Sequence, residues 1–321
     1  MKSAIGQYNV LERLGGGALG DVYRVRDTRA GRTVALMAAP KELIESPSRR
    51  ARFLEDARRA MTLNHPNIAM LFDVVEQDDG CYLAYEFAAG PSLRDEMSGG
   101  AIEVPHALHL AAHIADALAE GHAKGVVHGD LRPDTIVVTP KGNVKVLNFG
   151  MTSWTAGGVA RAKAAMAPDS LHGDEALVAG YLSPEQALGA PVDPRSDLFA
   201  LGVILHEMLT GRQPFAGATP AAAVMSVMSH TAPRPSAVNP GLPPEVDAIV
   251  AKLLAKDLDV RYQSASAVAA DLRRLSSDID RPPDARRPEP AVRTGSGVAI
   301  WLVLIVALLV LGAGWWYVTQ G

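Results

Sequence analysis

The chain opens with short apolar stretches separated by glycines and polar turns. Val10 to Gly15, Asp21 to Asp27 and Arg32 to Ala38 predict an antiparallel meander. From Arg50 to Leu63 the pattern changes: Phe53, Leu54, Ala57, Ala60 and Met61 recur at helical spacing, and His65-Pro66-Asn67 ends the run. Two more strands fit Ile68 to Glu76 and Cys81 to Phe87, with Asp78, Asp79 and Gly80 at the turn between them. After Pro105 the apolar positions Leu108, Leu110, Ile114 and Leu118 predict a helix. Ile136 to Val138 and Val144 to Leu147 predict a hairpin turning at Lys141-Gly142. A strongly apolar helix over Leu198 to Leu209 ends at Gly211 and is too short to cross a bilayer. Strands come first and helices later, which predicts an α+β chain with a strand-rich part followed by a helical part. No internal repeat is visible.

The last apolar run is of another kind. Val298 to Val318 is 21 residues without a charge, with Trp301 near its start and Trp315, Trp316 and Tyr317 at its end. As a helix it matches the roughly 30 Å of a bilayer core, and the aromatic rings suit the headgroup region. A linker over 279–297 precedes it, with Pro282, Pro283, Pro288 and Pro290, and Arg281, Arg286, Arg287 and Arg293 flank the span on that side only. The positive-inside rule then expects a single-pass protein of the cytoplasmic membrane, with residues 1–278 in the cytoplasm and the short tail 319–321 outside. No signal-peptide pattern is expected at the N-terminus.

Composition narrows the partners. Hydrophobic residues make up 48% and charged ones 21%, so the chain should fold, and the net charge of -4 gives no basic footprint for nucleic acid. The mean hydropathy of +0.08 is raised by the terminal run. A single cysteine, Cys81, allows no internal disulfide and no cysteine cluster for zinc.

Three motifs carry the chemistry. Leu14-Gly15-Gly16-Gly17-Ala18-Leu19-Gly20 lies between two strands, which argues against a Rossmann fingerprint and lets Gly15, Gly17 and Gly20 bring a hairpin backbone against a phosphate chain. His128-Gly129-Asp130-Leu131-Arg132-Pro133-Asp134-Thr135-Ile136 and Asn148-Phe149-Gly150 bracket the second hairpin. Leu182-Ser183-Pro184-Glu185 and Asp193-Pro194-Arg195-Ser196-Asp197 follow. In this order the motifs, over about Tyr8 to Leu275, resemble the bacterial members of the eukaryotic-like (Hanks-type) serine/threonine protein kinases.

The resemblance implies a protein-kinase-like domain over 8–278 after a tail of residues 1–7. Its small N-lobe would span about 8–86 and its larger helical C-lobe about 89–278, with a nucleotide cleft between them. It places Glu86 and Ala88 at a hinge that holds the adenine and Val22, Ala35 and Val137 around the ring, with Tyr85 at the back. It pairs Glu185 with Arg261 and makes Asp197 the carboxylate that ties the catalytic loop to the apolar helix. The phosphate and metal positions depart from the family. The lysine of Val-Ala-Ile-Lys reads Met37, the aspartate of Asp-Phe-Gly reads Asn148, and Thr135 stands where an asparagine binds the second magnesium. Gly129 replaces an arginine, and Leu177-Val178-Ala179-Gly180-Tyr181 lacks the usual threonine. Asp130 survives as the general base, with Arg132 as its basic partner. Asp56 falls where the lysine's glutamate is usual, with Glu55 one step away, and both are expected to be solvated surface charges.

With the apolar run over 298–318, these substitutions favour a membrane-anchored pseudokinase that works by binding partners, cytoplasmic or membrane signalling proteins with active kinases among them, and that binds ATP weakly and has no usual magnesium ligand. The alternative is an active serine/threonine kinase with rearranged ligands, Lys41 reaching in or Asn148 binding metal through its carbonyl. One span without an intramembrane charge gives little support to a transporter.

Overall fold

The computed structural model describes residues 4–16, 20–39, 46–77, 80–154 and 179–279. The span predicted over 298–318, the proline-rich linker after Ile279, the tail 319–321, Gly17 and Lys41 lie outside them. Among the described residues no helix is long and apolar enough to cross a membrane.

The first part is one antiparallel sheet. Strands β1 (Ala4–Ile5), β2 (Tyr8–Gly16), β3 (Asp21–Asp27), β4 (Arg32–Ala39), β5 (Leu71–Gln77) and β6 (Gly80–Glu86) lie in the order β1-β2-β3-β4-β6-β5. Side chains alternate across a strand. On β4 this sends Val34 and Leu36 into one buried cluster with Tyr8, Val25, Tyr82 and Ala84, and sends Ala35 and Met37 to the other face. Val34 pairs with Glu86 and Ala35 with Tyr85, so β4 and β6 bring the predicted ring-binding residues side by side.

Helix α1 (Pro47–Ala60) packs Phe53, Ala57 and Ala60 against that second face. It starts three residues before the periodicity suggests, because the Ser46 side chain caps it from the Arg49 amide and Pro47 fits the first turn. It also stops at Ala60 rather than Leu63. The strand predicted from Ile68 begins at Leu71; Ile68 instead bridges to Val146 of the second hairpin.

The second part is helical, with α2 (Leu93–Glu96), α3 (Val104–Ala123), the hairpin β7 (Ile136–Val138) and β8 (Val144–Val146), α4 (Pro184–Ala187) and α5 (Pro194–Thr210). Then come α6 (Pro220–Ser229), α7 (Pro235–Val238), α8 (Glu245–Leu253) and α9 (Ala265–Ile279). Helix α5 is longer than the apolar run: Asp193 caps its start, and Gly211 ends it at φ 69°, the left-handed position a glycine takes at little cost. The core here joins α3, α5 and α9 through residues such as Leu110, Ile114, Phe199, Leu205 and Leu272. Ile279, expected to start the linker, is the last residue of α9. The α+β, two-lobed expectation agrees with this architecture.

Candidate nucleotide and phosphotransfer site

Between the sheet and the helical part lies a cavity of about 480 Å³. Val22, Ala35 and Val137 line it, as do Glu86 and Ala88 of the connecting strip, with Met37 and Tyr85 at its margin. Among the described residues Ala88 makes no backbone hydrogen bond, which leaves its N–H and carbonyl for the edge of a ring. Of the glycine-rich turn, Leu14 and Gly16 line the cavity rather than Gly15. Gly15 sits in β2 at φ 140°, a conformation that favours glycine. Gly20 precedes β3, and Gly17 lies outside the described residues.

The catalytic loop is held from below. Asp197 on α5 is 1% exposed and accepts from the backbone N–H groups of His128, at 2.8 Å, and Gly129, at 2.7 Å. Its Oδ2 also lies 2.7 Å from His122 Nε2. Burial alone would raise this carboxyl; the hydrogen bond and charge of His122, with His128 and the Gly129 amide, outweigh it and hold the group below its usual range. Arg261, with no exposed side-chain surface, donates to both oxygens of Glu185 at 2.8 and 3.3 Å, and Ser196 donates to Glu185 at 2.6 Å. Against the burial that would raise it, these donors lower the Glu185 carboxyl. Gln186 completes the tie by donating to the Gly129 carbonyl at 2.8 Å.

Asp130 is 8% exposed, and Arg132 Nε lies 3.5 Å from its Oδ1. The same guanidinium donates to Asp134 at 3.1 Å. Arg94 of α2 also reaches Asp134, at 3.2 Å, then Glu207 at 3.2 Å and the Tyr181 hydroxyl at 2.8 Å. The retained cation of the cleft is therefore already shared between two carboxylates.

The positions expected to handle phosphate and metal are differently engaged. Met37 is 9% exposed and belongs to the apolar cluster of Phe53, Ala57, Leu83, Tyr85, Met151 and Trp154. Asp56 is not a solvated charge: its Oδ2 accepts from Trp154 Nε1 at 2.8 Å, while the Trp154 ring stands edge-on to Phe53 at 5.3 Å. Glu55 does face solvent, where it pairs with Arg59 one turn on. Trp154 follows Asn148-Phe149-Gly150, and periodicity gives no sign that it would close over α1. Thr135 Oγ1 lies 2.9 Å from the Arg132 carbonyl and 3.2 Å from the Arg132 amide, so its hydrogen bonds go to the loop itself. Asn148 is 6% exposed at φ 62°, which asparagine tolerates better than most side chains, and it lines the cavity with a neutral amide. Among the described residues no three His, Cys, Asp or Glu side chains gather as metal ligands. At the family's two magnesium positions, Thr135 spends its hydroxyl on its own loop and Asn148 presents an amide oxygen without charge, so neither is a carboxylate.

The sequence profile of the protein kinase domain matches residues 8–272. The chain belongs to the protein kinase family. Its curated relatives are bacterial enzymes of the Hanks type. They include a probable serine/threonine-protein kinase of Streptomyces coelicolor, 37% identical over 83% of this chain and 39% of that protein. Serine/threonine-protein kinase PknB of Mycolicibacterium smegmatis is 34% identical over 95% and 53%, and PrkC of Bacillus subtilis 32% over 87% and 42%. The chain thus spans between about two fifths and a half of the length of these relatives. Among solved structures, the PknI kinase domain of Mycobacterium tuberculosis superposes with a TM-score of 0.64 at 24% identity, over 85% of this chain and 98% of that one, a likeness of fold. The cleft of this kinase domain corresponds to the family's ATP site.

Proposed function

We propose that this kinase-family chain is a signalling module with phosphotransfer lost or strongly reduced, working through contacts of its folded domain with other signalling proteins. The observation that carries this is the fate of the cleft's charges. Met37 meets the cleft as an uncharged member of an apolar cluster, and Arg132, the cleft-lining cation, is committed to Asp130 and Asp134. Phosphoryl transfer depends on positioning and on neutralising phosphate charge. Losing one oriented donor at an active site costs about 3–4 kcal/mol, on the order of 100- to 1000-fold in rate. The adenine walls persist, so an adenine ring still has a seat while the triphosphate gains little. Anchoring in the cytoplasmic membrane through 298–318 belongs to the same proposal and rests on the sequence pattern.

An active kinase with rearranged ligands is the second reading. The intact loop anchors around Asp130 favour it, as do the names of the relatives. Magnesium-dependent transfer of labelled phosphate by the purified full chain decides between them. The expected result is no incorporation above background; incorporation that vanishes in Asp130→Ala establishes the second reading.

A further inference from the structure

The strip from Glu86 to Ala88 is the shared wall of two cavities. One is the nucleotide cleft. The other, about 490 Å³, is completed by Pro66, by His113 of α3 and by residues of the β7–β8 hairpin, Pro140, Lys141 and Lys145 among them. Its volume falls in the range of small-molecule sites.

The two cavities differ in charge. The front cleft sets one guanidinium, already bound twice, against the carboxylates of Asp134 and Glu86. The second cavity sets two lysines against Glu86 alone. Alternation along β8 buries Val144 and Val146 in the helical core and turns Lys145 the other way, where its Nζ lies 2.6 Å from Glu86 Oε1 and 3.4 Å from the Ile68 carbonyl. That pair is neutral. Lys141, at the hairpin turn, has no carboxylate partner among the described residues, so one positive charge is left over. His113 adds a polar ring to the wall. Its Nδ1 is buried without a partner, a position more tolerable for a lone pair than for an N–H, which puts the neutral ring's proton on Nε2. Phe87, Pro66 and Pro140 supply flat apolar surface.

We propose that this second cavity is a binding site for a small monoanion with a flat apolar body, an aromatic carboxylate in chemical class. The carboxylate would meet Lys141 and compete with Glu86 for Lys145, and the ring would lie against Phe87 and the prolines. A triphosphate carries more negative charge than this cavity balances, and the front cleft offers the carboxylate no unpaired cation.

Calorimetric titration of the full-length chain with benzoate, with benzyl alcohol as the uncharged control, tests the site. Benzoate is expected to bind at least about tenfold more tightly, the equivalent of about 1.4 kcal/mol. Lys141→Gln, at an exposed turn, should remove most of that difference, and Lys145→Gln the remainder. Ala35→Trp, which fills the front cleft, should leave benzoate affinity unchanged. Equal affinity for the two probes overturns the proposal, as does unchanged benzoate binding in Lys141→Gln. So does loss of binding in Ala35→Trp, which would move the anion to the front cleft. Because none of these readouts involves phosphotransfer or nucleotide, the result is independent of the function proposed above.

Discussion

The floor of the cleft and its roof have been treated differently. Below, the helical lobe holds the catalytic loop through Asp197 on the His128 and Gly129 amides and Gln186 on the Gly129 carbonyl, with Arg261 on Glu185 bracing the lobe. Above, the one ion pair between α1 and the sheet among the described residues, Arg50 to Glu76, lies at the exposed surface, and on the cleft side the roof is held by Met37, Phe53 and Trp154 in an apolar cluster and by the hydrogen bond of Trp154 to Asp56. The difference separates two jobs that one kinase fold ordinarily performs together. Ties that shape the domain persist, and the side chains at 37 and 148, Met37 and Asn148, carry no charge to set against a triphosphate.

The contrast is broken most severely from below. Arg261→Ala leaves Glu185 buried without its partner and is expected to cost about 3–5 kcal/mol, read as a fall in the denaturant midpoint. The same lobe should weaken in acid. Asp197 and Glu185 have carboxyls held below their usual values, so the stability they give is present above the unfolded values and lost as pH falls through the folded ones. Thermal melts from pH 7 down to about 3 should show this loss, and Asp197→Asn should flatten the slope.

Across the cleft, Met37→Lys in the roof together with Asn148→Asp just past β8 should restore the charges the cleft lacks. Magnesium-ATP at a hundred times its Kd would then stabilise the domain by about 2.7 kcal/mol, against almost nothing for ATP without magnesium, and a thermal-shift series measures it. A smaller effect is expected from Trp154→Phe, which keeps a ring beside Phe53 and deletes the bond to Asp56. About 1 kcal/mol of stability should be lost, measured by urea unfolding. Smallest of all is the difference between adenosine and ATP in the unaltered chain. At equal occupancy their melting shifts should agree within about 1 °C, and magnesium should change neither. A large magnesium-dependent shift would join roof and floor again as a working active site.

Motif order and spacing carried the two lobes, the strand-to-helix division and the anchors at Asp197, Glu185 and Arg261, because each rests on a residue type at a fixed place in a recognisable run. The cleft walls at Val22, Ala35 and Val137 were readable for the same reason. What escaped was set by contacts distant in sequence. Asp56 looked solvated because its partner, Trp154, is 98 residues away. Arg94 and Lys145 sit in no motif, yet one shares Asp134 with Arg132 across 40 residues and the other reaches Glu86. The start of α1 slipped because a serine cap and a proline, rather than apolar period, decide where a helix begins.

The apolar seal around Met37 also bears on how such a chain could change over generations. A methionine codon becomes a lysine codon by a single base, so the phosphate-gripping charge is within easy mutational reach. The new ammonium, however, would arrive among Phe53, Met151 and Trp154, beside an aspartate whose oxygen is already taken by the indole. A lysine at 37 would therefore carry its charge into an apolar cluster and compete with the indole for Asp56, so any gain in phosphate binding is set against a cost in stability. On the function proposed above, the tryptophan acts as a ratchet: it makes the single-base route back to chemistry costly in stability.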